Sequence, residues 1–188
     1  MSHGRLVLAA ALLAACAARP VVAWAGDAEA AELSQQQVEA AYLYKFGSYV
    51  TWPDKAFAGP DSPIVIGVAG ADTLADDLAS MVAGRSIGTR PVVVRRIHDG
   101  ELPDGVHILF IGGARAAQSG NLFEASHGRP ILVVTEGEDG LAEGGAVSFI
   151  LVDDRVRFDV ALNAVQQNGL KLSALLLSVA HTVNGAKP

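Results

Sequence analysis

Cysteine is almost missing from this chain: Cys16 is the only one in 188 residues. No intramolecular disulfide can form, so packing alone must hold the fold. Positive charge is scarce as well. Fourteen Lys and Arg stand against twenty Asp and Glu, a net charge of −6, and the longest basic run is the pair Arg95-Arg96. No face of the protein can neutralise a row of phosphates, which excludes nucleic acid as a partner class. Aromatics make up only 6% of the residues. Beyond the first twenty-five residues no apolar run approaches the roughly 18 residues that span a bilayer, so contact with a membrane would have to go through a partner or a lipid anchor.

The spacings that announce chemistry are also absent. His98, His107, His127 and His181 are scattered, without the His-x-His or His-Glu-x-x-His pairing of a metal site. Asp76-Asp77 falls on an expected exposed helix face and Asp153-Asp154 in an expected turn. There is no Gly-x-Ser-x-Gly elbow, and Ser126-His127 are merely neighbours in sequence. The expectation is a protein with no catalytic residues, no metal and no cofactor.

What is present begins with a leader. "MSHGR" is a short basic segment and "LVLAAALLAACAA" an apolar stretch too short to span, together an export signal. Its cleavage has two readings. Ala23-Trp24-Ala25 fits ordinary signal peptidase and removes 1–25, whereas Leu13-Ala14-Ala15-Cys16 fits a lipobox, which removes 1–15 and lipidates Cys16. Loss of Arg5 and Arg19 with the longer leader leaves twelve basic against twenty acidic residues, a charge of −8.

Residues 34–184 read as one α/β domain. Ser34, with Gln37 three residues on, makes a capping box at the entry to a helix that should stop near Thr51, before Pro53. From Pro63, β-branched runs alternate with helical segments, which predicts βαβ units and a mixed, mostly parallel sheet flanked by helices. Ile108–Ile111 and Ile131–Val134 are apolar throughout, as in central strands covered on both faces. Around Asp153-Asp154 two runs form an antiparallel hairpin. A C-terminal helix pair follows: "ALNAVQQ", closed by Asn168-Gly169, and a last helix over Leu170–Val183 with Leu172, Leu175, Leu176 and Val179 on one stripe.

All three tyrosines lie in "AAYLYKFGSYVTWP", Ala40–Pro53. Helical spacing puts Val38, Tyr42, Lys45 and Tyr49 on one stripe and Leu43, Phe46 and Val50 on another. Two readings stand. Either the second stripe and Trp52 pack on the sheet while the tyrosines lie over the domain edge, or Tyr42, Lys45, Tyr49 and Trp52 belong to a surface for a membrane receptor or a second copy of the chain, a homodimer. The turns "GVAGADT", with Asp72 placed to cap the next helix, and "IGGAR" look like anion-receiving turns. With the cluster Arg85, Arg90, Arg95 and Arg96 they raise a separate candidate, a small anionic or aromatic ligand held by Arg90 and Arg95.

Several segments in order carry a resemblance: Tyr49-Val50-Thr51-Trp52-Pro53, "PIVIGVAGAD", Gly88-Thr89-Arg90-Pro91-Val92, "HILFIGG", Arg157-Phe158, and Gly169-Leu170 with Ser173, Leu175 and Leu176. The chain resembles the YfiR-like family of bacterial periplasmic proteins from about Val38 to Ala180. The resemblance implies a repressor that binds the periplasmic part of an inner-membrane diguanylate cyclase, or of a similar sensor kinase, and lowers cyclic-di-GMP signalling and with it biofilm formation. The family commonly has asparagine shortly after the Arg-Phe pair, where this chain has Ala161, and serine where it has Ala174.

Overall fold

The computed structural model describes residues 25–113 and 120–185, with side chains from residue 35. The leader and Cys16 lie outside the described residues. The first element, α1 (Ala25–Tyr49), runs into β1 (Val50–Thr51) and a short 3₁₀ turn (Asp54–Ala56). Then come β2 (Ile64–Ala69), α2 (Asp72–Val82), β3 (Ser86–Ile87), β4 (Arg90–Ile97), β5 (Ile108–Ile111) and α3 (Gly120–Ser126). The chain continues with β6 (Leu132–Glu136), β7 (Val147–Val152), β8 (Arg155–Ala161), α4 (Leu162–Gln167), β9 (Lys171–Leu172), α5 (Ala174–Val179) and β10 (Thr182–Asn184).

Eight strands form one sheet in the order β10-β8-β7-β6-β5-β2-β4-β3, while β1 and β9 pair separately. Only β7 with β8 and β3 with β4 are antiparallel in the large sheet; the other neighbours are parallel. The mixed, mostly parallel sheet expected from the alternation of runs is therefore present. Its core follows from pleating, since successive side chains point to opposite faces. Ile108 and Phe110 join the larger cluster under α1 and α2, and Leu109 and Ile111 join the smaller one with Leu122. The hairpin turn is as read: Asp153 and Asp154 both have positive φ, 50° and 56°, the geometry of a type I′ turn in which Asp is tolerated.

Three local expectations change. Helix α1 already runs at Ala25, so Ser34 lies inside it and does not cap its start. Asp72 is the first residue of α2, and the cap position is held by Ala71 without a side-chain bond. The last helix is only Ala174–Val179, because the chain on either side of it is claimed by sheets. Lys171-Leu172 pair with Thr51 and Val50, and Thr182–Asn184 lie alongside Asp159–Ala161. The N–H of Ser173 bonds the carbonyl of Tyr49, which ties the end of α1 to the start of α5. Gly169, at φ 68°, ends α4 in the left-handed conformation that Asn168-Gly169 predicts.

Candidate functional site

The inner stripe of α1 is Leu43, Phe46 and Val50, all buried. Phe46 stacks on Phe149 with centroids 5.8 Å apart and meets Phe158 edge-on at 5.3 Å. Tyr42 joins the same group, 5.5 Å from Phe158 and 5.9 Å from Phe149. The tyrosine stripe is thus not separate from the core. The inner part of Tyr42 completes an aromatic cluster made of Phe46 on its own helix and of Phe149 and Phe158 from the β7–β8 hairpin.

Its outer part is open. Tyr42, Lys45, Phe46 and Tyr49 of α1 and Leu175, Leu176 and Val179 of α5 line a groove of about 280 Å³. A second hollow, between Gln37, Val38 and Ala41, continues it along α1 and shares Tyr42 and Lys45. Leu175 is 60% exposed, Val179 52% and Val38 40%. A six-residue helix can bury only one side, and α5 buries Leu176. Leu175 and Val179, four residues apart, fall together on the other side. The sequence reading placed them on one stripe with Leu176 and did not single them out as surface. A helix cut to one and a half turns by its flanking strands was the undetected cause.

Trp52 lies apart from that groove. It is buried, its ring edge-on to Phe57 at 6.3 Å and to His107 at 6.1 Å. His107 stacks on Phe57 at 4.5 Å. Its Nδ1 accepts the N–H of Val65, and its Nε2 lies 3.1 Å from the Ala56 carbonyl, an arrangement that fits a neutral ring with the proton on Nε2. Burial lowers its pKa below the ordinary value, the Ala56 bond opposes this and Arg90 adds to the lowering.

Arg90 covers Phe57 at 3.7 Å and donates from Nη1 to the carbonyls of Gly59 and Ser62, both 2.8 Å away. The guanidinium is engaged in closing the 54–62 segment. Arg95 is ion-paired with Glu101 at 3.7 Å. Five residues apart on one strand, Arg90 and Arg95 point to opposite faces of the sheet and do not converge on a ligand. Arg85 lies over Tyr44, and Arg96 pairs with Asp72 and Asp76. The four arginines of the sequence cluster are dispersed over separate sets of partners.

The glycine turn after β5 receives an acid of the chain itself. The N–H of Gly113, just past β5, donates to Glu136 Oε2 at 2.8 Å. Glu136 ends β6 and stands near Glu39, a wholly buried carboxyl on α1. The sequence reading passed over both. Glu39 had a visible signal, since positions 39, 43, 46 and 50 form one inward stripe with a single charged member. No group of three or more metal-ligating side chains occurs among the described residues, and none of their helices is long and apolar enough to cross a membrane.

These features define a class: an α/β protein whose open apolar groove lies between two helices while its polar clusters are engaged in holding the fold. Residues 36–181 match the YfiR/HmsC-like family model, and the chain belongs to that family. The family is periplasmic, regulatory and non-catalytic. Among curated proteins none matches the chain.

Proposed function

We propose that this protein docks on the periplasmic region of an inner-membrane diguanylate cyclase, or of a related sensor kinase, and holds cyclic-di-GMP synthesis down. The observation that carries this reading is the groove between α1 and α5. A regulator without catalysis acts by occupying a partner's surface, and stable occupancy needs an apolar centre that loses water on contact, with a polar rim around it. Tyr42, Tyr49, Leu175 and Val179 supply such a centre, and Lys45 belongs to the rim. Trp52 contributes by holding the segment after α1 in place.

Affinity capture with the mature domain from envelope extract tests the proposal. A membrane cyclase or sensor kinase in the eluate, lost when Leu175 and Val179 are replaced by serine, supports it. Failure to capture any membrane signalling protein, together with unchanged cyclic-di-GMP and biofilm formation in a deletion strain, overturns it.

A further inference from the structure

A carboxyl group in the middle of a core-facing helical stripe needs a reason. Glu39 has 0% exposure. Its Oε1 accepts from Gln35 Nε2 at 2.9 Å, one turn earlier on α1, and its Oε2 has no hydrogen-bond partner among the described residues. Gln36 Oε1 is a second buried acceptor left without a donor. The charged group set against Glu39 is another acid, Glu136, itself fixed by the Gly113 N–H. The acids at the start of α2, Asp72 and Asp76, are drawn off to Arg96. On β8, which also packs against α1, Asp159 pairs with His181.

Two carboxylates that close, Glu39 buried and Glu136 partly buried, cannot both carry charge without cost. One proton between them removes the repulsion and turns the unpartnered oxygen of Glu39 into a donor. We infer that Glu39 and Glu136 form a proton-dependent latch that holds α1 against the strand-end turns of the sheet and lets it loosen when the shared proton is lost.

Titration supports the geometry. Burial first, and then repulsion from Glu136, push the pKa of Glu39 up to about 8, against the opposing bond from Gln35; the bond with Glu136 that only a protonated carboxyl can make adds to the rise. The folded value lies above the unfolded one, so the folded state binds the extra proton. The stabilisation is complete below the ordinary glutamate pKa and is lost as pH rises through about 8. Tyr42, one turn beyond Glu39, lines the groove. If that groove is the docking face, which rests on the reading above, the latch makes docking responsive to pH outside the cytoplasm.

The test needs no partner, so its failure leaves the docking proposal standing. Amide hydrogen exchange of α1 is followed from pH 6 to 9, corrected for intrinsic exchange, in the wild type, Glu39→Gln and Glu136→Gln. In the wild type, opening of the 35–43 segment should rise by roughly tenfold per pH unit up to about pH 8 and then level off. Glu39→Gln should abolish that dependence, and Glu136→Gln should move its midpoint down. A wild-type α1 whose protection is flat across the range, or a Glu39→Gln protein that keeps the wild-type slope, overturns the latch. If Glu39→Gln does not fold, the midpoint in Glu136→Gln decides, and an unmoved midpoint overturns it.

Discussion

The guanidinium of Arg90 lies 3.7 Å from the centroid of Phe57 and donates to the carbonyls of Gly59 and Ser62. Through the stack of Phe57 on His107, and the edge contact of His107 with Trp52, it joins two of the most recognisable sequence motifs, Trp52-Pro53 and Arg90-Pro91, into one structural unit. Motifs that identify a family are here parts of a clamp that fastens the 54–62 segment to the sheet.

Arg90→Lys should therefore be a poor substitute. An ammonium cannot spread over the ring and present the same planar donors. A loss of about 1–3 kcal/mol in unfolding free energy is expected from the charged hydrogen bonds and the stacking. Chemical denaturation measures it.

Replacing Leu175 and Val179 by serine should leave stability within about 1 kcal/mol of the parent, because both side chains are largely exposed. Partner capture should fall by tenfold or more if the groove centre is a binding hot spot. The comparison of thermal unfolding with pull-down yield separates the two effects.

Ala161 occupies the cap position of α4 with no side-chain bond, at the place where the family commonly has asparagine. Its backbone, φ −102° and ψ 95°, is one from which a short polar side chain can reach the first turn. Ala161→Asn should raise stability by about 0.5–1 kcal/mol, read as a shift in denaturation midpoint at constant slope.

His107 gives the acid limb of the pH profile. Its folded pKa is lowered below 6.5, so below that pH the unfolded chain takes up the proton first. The stability it contributes is present above pH 6.5 and falls as pH drops through the folded value. Since Glu39 acts in the opposite sense, the measurement is a difference: the melting temperature of His107→Gln should fall less between pH 7 and 5 than that of the parent.

Gly112 leaves no space for a side chain. A Cβ there would lie 2.9 Å from the carbonyl oxygen of Gly70, in the turn after the neighbouring strand. Backbone cannot step aside as a side chain can, so Gly112→Ala should destabilise by about 1–3 kcal/mol. Thermal unfolding of the variant gives the value.

Much of the architecture could be read from the residues because period and composition agree there. Continuous apolar runs such as Ile108–Ile111 demand cover on both faces, and Asp153-Asp154 between alternating runs demands a tight turn. Positions decided by partners distant in sequence could not be read. Leu170–Val183 has helical spacing, but its two ends are taken by β1 and β8. Arg90 and Arg95 look like a cluster in one dimension and are separated by the pleat in three. The tyrosines of α1 read either as lying over the domain edge or as part of a docking surface, whereas Tyr42 also packs against Phe149 and Phe158 of the core.

The margins of the large sheet have a consequence of their own. One ends in β10, three residues long, and the other in β3, which covers only Pro91 and Arg90 of the eight-residue β4. Past that cover, β4 carries Arg95 and Arg96. Short borders and charged side chains oppose growth of the sheet by strand addition from another molecule. Association of this protein is thereby steered away from backbone ladders, which are indifferent to sequence, and toward contacts that depend on the shape and identity of side chains.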